Sequence, residues 1–275
     1  MTSTSRRSVL VTGAAGGLGA AGVRAFLDAG WRVAAADLRA PDEFAASSPD
    51  DVLPLEMDVT DDASVEAAIA LVDDWSPRGL DAVVTYAGIG GIGPLMDTPP
   101  AAMAKVLDVN VLGTHRTVRA SWPLIHRAGG RIILIGSETG WMHAMPLNGT
   151  YAMSKHAIEA YADALRREVM FVGGTVVLLQ PGPFRSAMTS EVSAMFGAVA
   201  EDSMFKPLAV AATAHLGTAM DKASDPAILA AAVVDAATTA RPRTRYSVRP
   251  DRSRARLNRL PVPVVDRILK ASLKA

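Results

Sequence analysis

Ser8-Val-Leu-Val-Thr-Gly-Ala-Ala-Gly-Gly-Leu-Gly19 is the stretch that decides the fold. A short apolar run stops at Gly13, and helical spacing starts at Gly17. The run reads as a buried strand. Residues 17–29 read as a helix with Leu18, Val23, Phe26 and Leu27 inward and Gly30 as its stop. Gly17-Leu18-Gly19-Ala20-Ala21-Gly22 fits G-x-G-x-x-G, but that pattern should begin directly after the strand. The better reading is T-G-x-x-x-G-x-G on Thr12, Gly13, Gly17 and Gly19. Gly13 lets the chain leave the strand sharply. Gly17 lets backbone approach a pyrophosphate at the start of the helix, beside Leu18, and Gly19 allows close helix–sheet packing.

The same alternation continues. Strand signals fall at 31–36, 52–57, 80–86, 131–136, 175–180 and 244–248; helical spacing falls at 61–75, 99–127, 150–171 and 226–240. Residues 187–220 are mixed. Strands spaced by helices imply β-α-β crossovers and a parallel sheet covered on both faces. The expectation is a single α/β, doubly wound domain (Rossmann-like) over residues 1–250, with 251–275 as a basic C-terminal extension of it.

Composition narrows the chemistry. A chain of 275 residues, 49% apolar and 20% charged, has the makings of a large core. The absence of cysteine excludes disulfides, thiolate metal sites and cysteine nucleophiles. The five histidines lack ligand spacing, so no metal site is expected. Residues 1–8 hold no apolar signal core and no stretch reaches bilayer-spanning length, so the expected location is cytoplasmic. Net charge is zero, yet residues 241–275 carry 11 basic and 2 acidic residues. No nucleic-acid reading module accompanies that tail, so nucleic acid is not expected as a partner.

Asp37 closes the second strand, 24 residues after Gly13. A carboxylate there accepts hydrogen bonds from the adenosine ribose and repels a 2′-phosphate, which favours NAD over NADP. Arg39, two residues on, could blunt that preference. Asp58, followed by Val59, closes the third strand as a candidate for the adenine amino group. Tyr151 and Lys155 lie at i and i+4, on one helix face. A free phenol has a pKa near ~10, too high for a general base at neutral pH, and an adjacent ammonium would lower it.

These residues together resemble the short-chain dehydrogenase/reductase family, by motif over roughly residues 8–190. Ser137 precedes Tyr151 by 14 residues, and Asn110-Val111-Leu112-Gly113 matches the family's asparagine motif. The resemblance implies that Ser137 orients the substrate oxygen and Tyr151 transfers the proton. It gives Lys155 the nicotinamide ribose and Tyr151's tuning, and Asn110 a water-linked proton path. It places Ala87, Gly88 and the Pro181-Gly182 turn beside the cofactor. The segment from Ser154 to Glu168 looks most like the steroid and retinol dehydrogenase branch. Thr85-Tyr86-Ala87-Gly88 departs from the family's Asn-Asn-Ala-Gly, so packing there must differ. The serine–tyrosine spacing is one residue longer than the commonest value.

In the family the segment after the Pro-Gly turn covers the substrate. Here it holds Met188, Met195, Phe196, Met204 and Phe205, which suits a lipophilic alcohol or ketone. Trp141 and His143 lie in a loop that would vary with substrate; His143 is a candidate substrate contact, and His156 is assigned no role. Residues 262–273 form an amphipathic stretch that would dock on the body, a second subunit or a membrane surface. A homodimer or homotetramer is implied by the resemblance. The alternatives are an NADP-dependent carbonyl reductase and a catalytically silent dinucleotide-binding regulator.

Overall fold

The computed structural model describes residues 6–186, 194, 197–220 and 223–273. Met188, Met195 and Phe196, expected at the substrate, lie outside them. Seven parallel strands form one sheet: β1 (Ser8–Thr12), β2 (Arg32–Asp37), β3 (Val52–Glu56), β4 (Ala82–Thr85), β5 (Arg131–Ile135), β6 (Thr175–Pro181) and β7 (Arg245–Val248). Their spatial order is β3-β2-β1-β4-β5-β6-β7. The helices between them are α1 (Gly17–Asp28), α2 (Asp42–Ser47), α3 (Asp62–Trp75), α4 (Pro100–Leu107), α5 (Gly113–Ala128), α6 (Gly149–Val169), α7 (Lys206–Met220) and α8 (Pro226–Thr238). After β7 come α9 (Arg252–Leu257) and α10 (Val262–Ser272).

Period-two alternation splits the core. Val9 and Val11 face one side with Val23 and Phe26 of α1 and Leu229, Val233 and Ala236 of α8. Leu10 faces the other with Val65 and Val72 of α3, Leu124 and Ile125 of α5, and Ile158 of α6. All five β1 residues are buried, as a strand covered on both faces must be.

The ends of the elements follow from side-chain chemistry. Asp61 caps α3 by accepting from Ala63 N at 3.0 Å, and Asp225 caps α8 by accepting from Ala227 N at 2.9 Å, with Pro226 opening that helix. Helix α1 closes with Trp31 N donating to Phe26 O (3.0 Å) and Gly30 N to Leu27 O (2.8 Å), with Gly30 at φ +76°. The Phe26 and Trp31 rings meet edge-on at 5.1 Å, the apolar contact that accompanies this stop.

The structure refines two expectations from the sequence. The single helix expected over 99–127 contains a wider π turn, Asp108–Leu112, between α4 and α5. Docking of the basic C-terminal stretch on the body, one of the readings left open, begins in β7, where Arg245 Nε meets Glu159 at 3.0 Å and its Nη2 meets Asp163 at 3.0 Å. Gln180 Nε2 donates to the other Glu159 oxygen at 2.7 Å, tying α6 to β6 and β7. No described helix is long and apolar enough to cross a membrane.

Phe26 is fully buried and makes both the core contact and the α1 stop. Phe26→Ala should cost about 3–5 kcal/mol, read as a lowered urea midpoint with an unchanged slope.

Candidate active site

Because β1 pairs with β2 on one side and β4 on the other, the connections leave opposite faces and a crevice opens at the strand carboxyl ends. A cleft of about 890 Å³ lies there. Gly13, Gly17, Leu18, Gly19, Asp37, Asp58, Val59, Ala87 and Gly88 all line it. Gly16, Leu38, Thr60, Lys105 and Ser186 line it too; their residue types gave no signal in sequence.

Gly13 adopts φ +67°, and a Cβ on it would sit 2.7 Å from Ala87 N. A side chain on Gly19 would strike the Gly13 carbonyl. Gly19 thus packs on the turn itself, where close packing on the sheet was expected. Thr12 Oγ1 accepts from Ala87 N at 3.2 Å, joining the ends of β1 and β4. Helix α1 has no side-chain cap and no acidic residue in its first turn, so its first N–H groups and positive dipole end stay free for an anion.

Asp37 accepts from Ala15 N (2.9 Å) and Leu38 N (2.8 Å), which fixes its carboxylate at the cleft edge and braces the glycine turn. Asp58 accepts from the Thr60 hydroxyl (2.7 Å) and N–H (2.8 Å), and those bonds hold it below the usual carboxylate range. An uncapped helix end, a half-buried acid at the β2 terminus and an elongated cleft fit a dinucleotide.

The expected catalytic residues lie on neighbouring elements. Ser137 follows β5, and its Oγ accepts from Thr139 N at 3.1 Å. Tyr151 and Lys155 lie in the first two turns of α6. The Ser137 hydroxyl lies close enough to the Tyr151 phenol to act on its ionisation. Asn110 lies in the π turn: its Oδ1 accepts from Ile89 N (2.8 Å), and its Nδ2 donates to Ile89 O and Ser154 Oγ, both at 3.0 Å. Ser154 Oγ in turn donates to Tyr151 O at 2.8 Å. Asn110 thereby ties the cleft wall to the Tyr151 helix. Pro181 and Gly182 are not in the cleft lining. Gly182 N donates to Val248 O at 2.9 Å, and that turn packs against Arg249 at the end of β7.

The electrostatics differ from the sequence expectation. Burial pushes the Tyr151 phenol above its ordinary value; the Ser137 hydroxyl opposes this, and the nearby Glu138 carboxylate adds to it. Lys155, expected to lower Tyr151, is itself buried and pushed down to about 8. Its Nζ donates to Ile135 O at 3.0 Å and stands 5.7 Å from the Tyr151 ring centroid. Within the chain, Ser137 is thus the group that eases ionisation of Tyr151.

The Tyr86 ring fills the space above Gly22, where a Cβ would come within 2.9 Å of it. Its buried hydroxyl has no hydrogen-bond partner among the described residues, and burial raises its pKa. His143 is bound into the tail: its backbone N donates to Asn258 Oδ1 at 2.7 Å, and its ring Nε2 lies 3.4 Å from Leu260 O. Sequence reasoning missed Glu138, which is 4% exposed directly after Ser137. A charged residue in that run of small residues was the available signal.

A lysine depressed from 10.5 to about 8 burdens the fold fully below pH 8 and is relieved between 8 and 10.5, where the folded state sheds its proton first. The burden is on the order of 3 kcal/mol, offset by about 1 kcal/mol for the Ile135 hydrogen bond. Lys155→Met should therefore be more stable than wild type at pH 7, by about 2 kcal/mol, with the gap closing toward pH 10.5 in paired urea melts.

Residues 7–196 match the short chain dehydrogenase family. Retinol dehydrogenase 7 of Rattus norvegicus is 31% identical over 260 residues, covering 87% of this chain and 79% of that protein. NADPH-dependent 3-dehydrocapnine reductase of Ornithobacterium rhinotracheale is 30% identical and covers 98% of each. A short-chain dehydrogenase from Streptomyces avermitilis superposes with a TM-score of 0.76 at 28% identity, covering 89% of this chain and 88% of that one. The chain belongs to the short-chain dehydrogenase/reductase family, in its retinol dehydrogenase-like branch, and is a dehydrogenase/reductase.

Proposed function

We propose that the enzyme interconverts a lipophilic secondary alcohol and its ketone with NAD(H). The observation that carries this reading is buried Lys155 standing 5.7 Å from the Tyr151 ring on α6, with buried Ser137 directly after β5 at the carboxyl edge of the sheet. Gly13, Gly17, Leu18 and Gly19 would hold the diphosphate, Asp37 the adenosine ribose, and Asp58 and Val59 the adenine. Ala87, Gly88, Lys155, Pro181 and Gly182 would border the nicotinamide half. When bound, the dinucleotide supplies or accepts the hydride.

The chain's own residues handle the oxygen. Ser137 holds the substrate oxygen beside Tyr151, and the phenol gives up or takes the proton. Asn110 keeps the Tyr151 helix in register with the cleft wall. Val199 and Ala209 pack with Leu147 in a small apolar cluster, to which Leu208 and Ile92 add. Ile92 and Val199 also line a second hollow together with Met204, beginning two residues beyond Gly90 of the cleft, and that apolar surface supports a lipophilic substrate. Assembly through α5 and α6 is supported by Leu112, at the end of the π turn that leads into α5, and Met153 on α6, both about half exposed.

A second reading, NADPH-dependent carbonyl reduction, is favoured by Arg39. It is exposed at the end of β2 without an ion pair among the described residues, and the Ornithobacterium relative carries NADPH in its name.

Fluorescence titration should give tighter binding of NADH than of NADPH; the reverse order would overturn the role of Asp37 and implicate Arg39. Tyr151→Phe should lose about 10²- to 10⁴-fold in kcat on a hydroxysteroid and cyclohexanol while keeping dinucleotide affinity. Undiminished turnover would refute the role of Tyr151.

A further inference from the structure

The tail that follows β7 grips the loop that carries Ser137. Glu138 is buried, with 5% of its side chain exposed, and both its oxygens are taken by the tail. Arg254 Nη1 meets Oε1 at 2.8 Å, and Asp251 N donates to Oε2 at 2.7 Å. The Asp251 carboxylate accepts from Ser253 N (2.7 Å) and Arg254 N (3.1 Å), which starts α9 and fixes where Arg254 stands. Four residues further, Asn258 Oδ1 accepts from His143 N at 2.7 Å and its Nδ2 reaches Trp141 O at 3.3 Å. Residues 138–143 are thus held at both ends by one short segment.

We propose that Arg254 is a positioning residue for Ser137 and Tyr151, acting through Glu138. The proposal rests on the catalytic reading of those two residues given above. Ser137 Oγ is oriented by Thr139 N, one residue beyond Glu138, so the place of the serine hydroxyl depends on how that turn is anchored. A carboxylate buried this deeply needs a partner, and stranding it would open the turn toward water. Charge matters as well as place. Glu138 is faced by Arg254 and Asp251 from the tail, and Tyr151 by Ser137, Glu138 and Lys155. An unpaired Glu138 carboxylate would oppose ionisation of Tyr151 more strongly than a paired one.

The test compares Arg254→Met, Arg254→Lys, the double variant Arg254→Met/Glu138→Gln, and Tyr151→Phe. Each full-length protein is assayed for NADH affinity, for kcat and KM with a hydroxysteroid and cyclohexanol, and for hydrogen exchange across 137–148. Arg254→Met should lose about 10- to 100-fold in kcat with NADH affinity held within about two-fold. Its acidic limb in alcohol oxidation, where Tyr151 must be ionised to take the proton, should move to higher pH, and residues 137–148 should exchange faster while 13–19 do not. Arg254→Lys and the double variant should recover most of the loss, since one restores the cation and the other removes the stranded charge. Wild-type kcat and exchange in Arg254→Met would overturn the proposal, as would loss of NADH affinity together with turnover, which would mark a role in the fold alone. Should Arg254→Met not fold, Asn258→Ala must show the same selective loosening of 137–148, and an unchanged loop there overturns the proposal too. Full turnover in Tyr151→Phe would sink the catalytic reading, whereas a silent Tyr151→Phe beside a fully active Arg254→Met would sink only the role of Arg254.

Discussion

The constraint on which everything else depends is the reversal of winding direction at β1. Once β1 has β2 on one side and β4 on the other, the chain leaving Thr12 and the chain leaving Thr85 diverge to opposite faces of the sheet. Neither can cover the gap between them. An all-parallel sheet buried on both faces has no other place to leave open, so binding chemistry gathers at that edge. The hydrogen bond from Ala87 N to Thr12 Oγ1 pins the two strand ends and sets the mouth of the cleft.

The catalytic end draws on a different arrangement. Helix α6 presents one end of its buried face to the sheet edge, and Asn110, in the wide turn Asp108–Leu112, reaches both the cleft wall and that helix. A turn of ordinary α geometry would rotate the residues after it, and a π turn at such a place is a familiar device of functional sites. The burial that positions Lys155 also penalises its charge, so placement and electrostatics oppose each other inside the protein.

Much of this was legible in the residues because the signals were local. The glycine at a positive φ, the acid at the end of β2, the Tyr–Lys spacing and the strand–helix alternation each follow from neighbours within a few positions. The wide turn at Asp108–Leu112 was not legible, because its cause is the packing of Asn110 against Ile89 and Ser154. The downward shift at Lys155 was missed because spacing reveals proximity but not depth. The partnership of Glu138 with Arg254 spans more than a hundred residues, and only the folded chain brings β7 and the tail back to β5. The 42–47 helix gave no signal of its own.

The Tyr86 ring lies on Gly22 so closely that neither position is independent. A smaller residue at 86 would leave a ring-sized hollow under α1, and any side chain at 22 would collide with the phenol. The two sites form an evolutionary latch: the usual asparagine cannot return at 86 by one substitution without cost, nor can 22 drift while the ring is present. Lineages that carry this tyrosine should therefore carry this glycine as well, and a lineage that escapes one must pass through a less stable intermediate or change both at once.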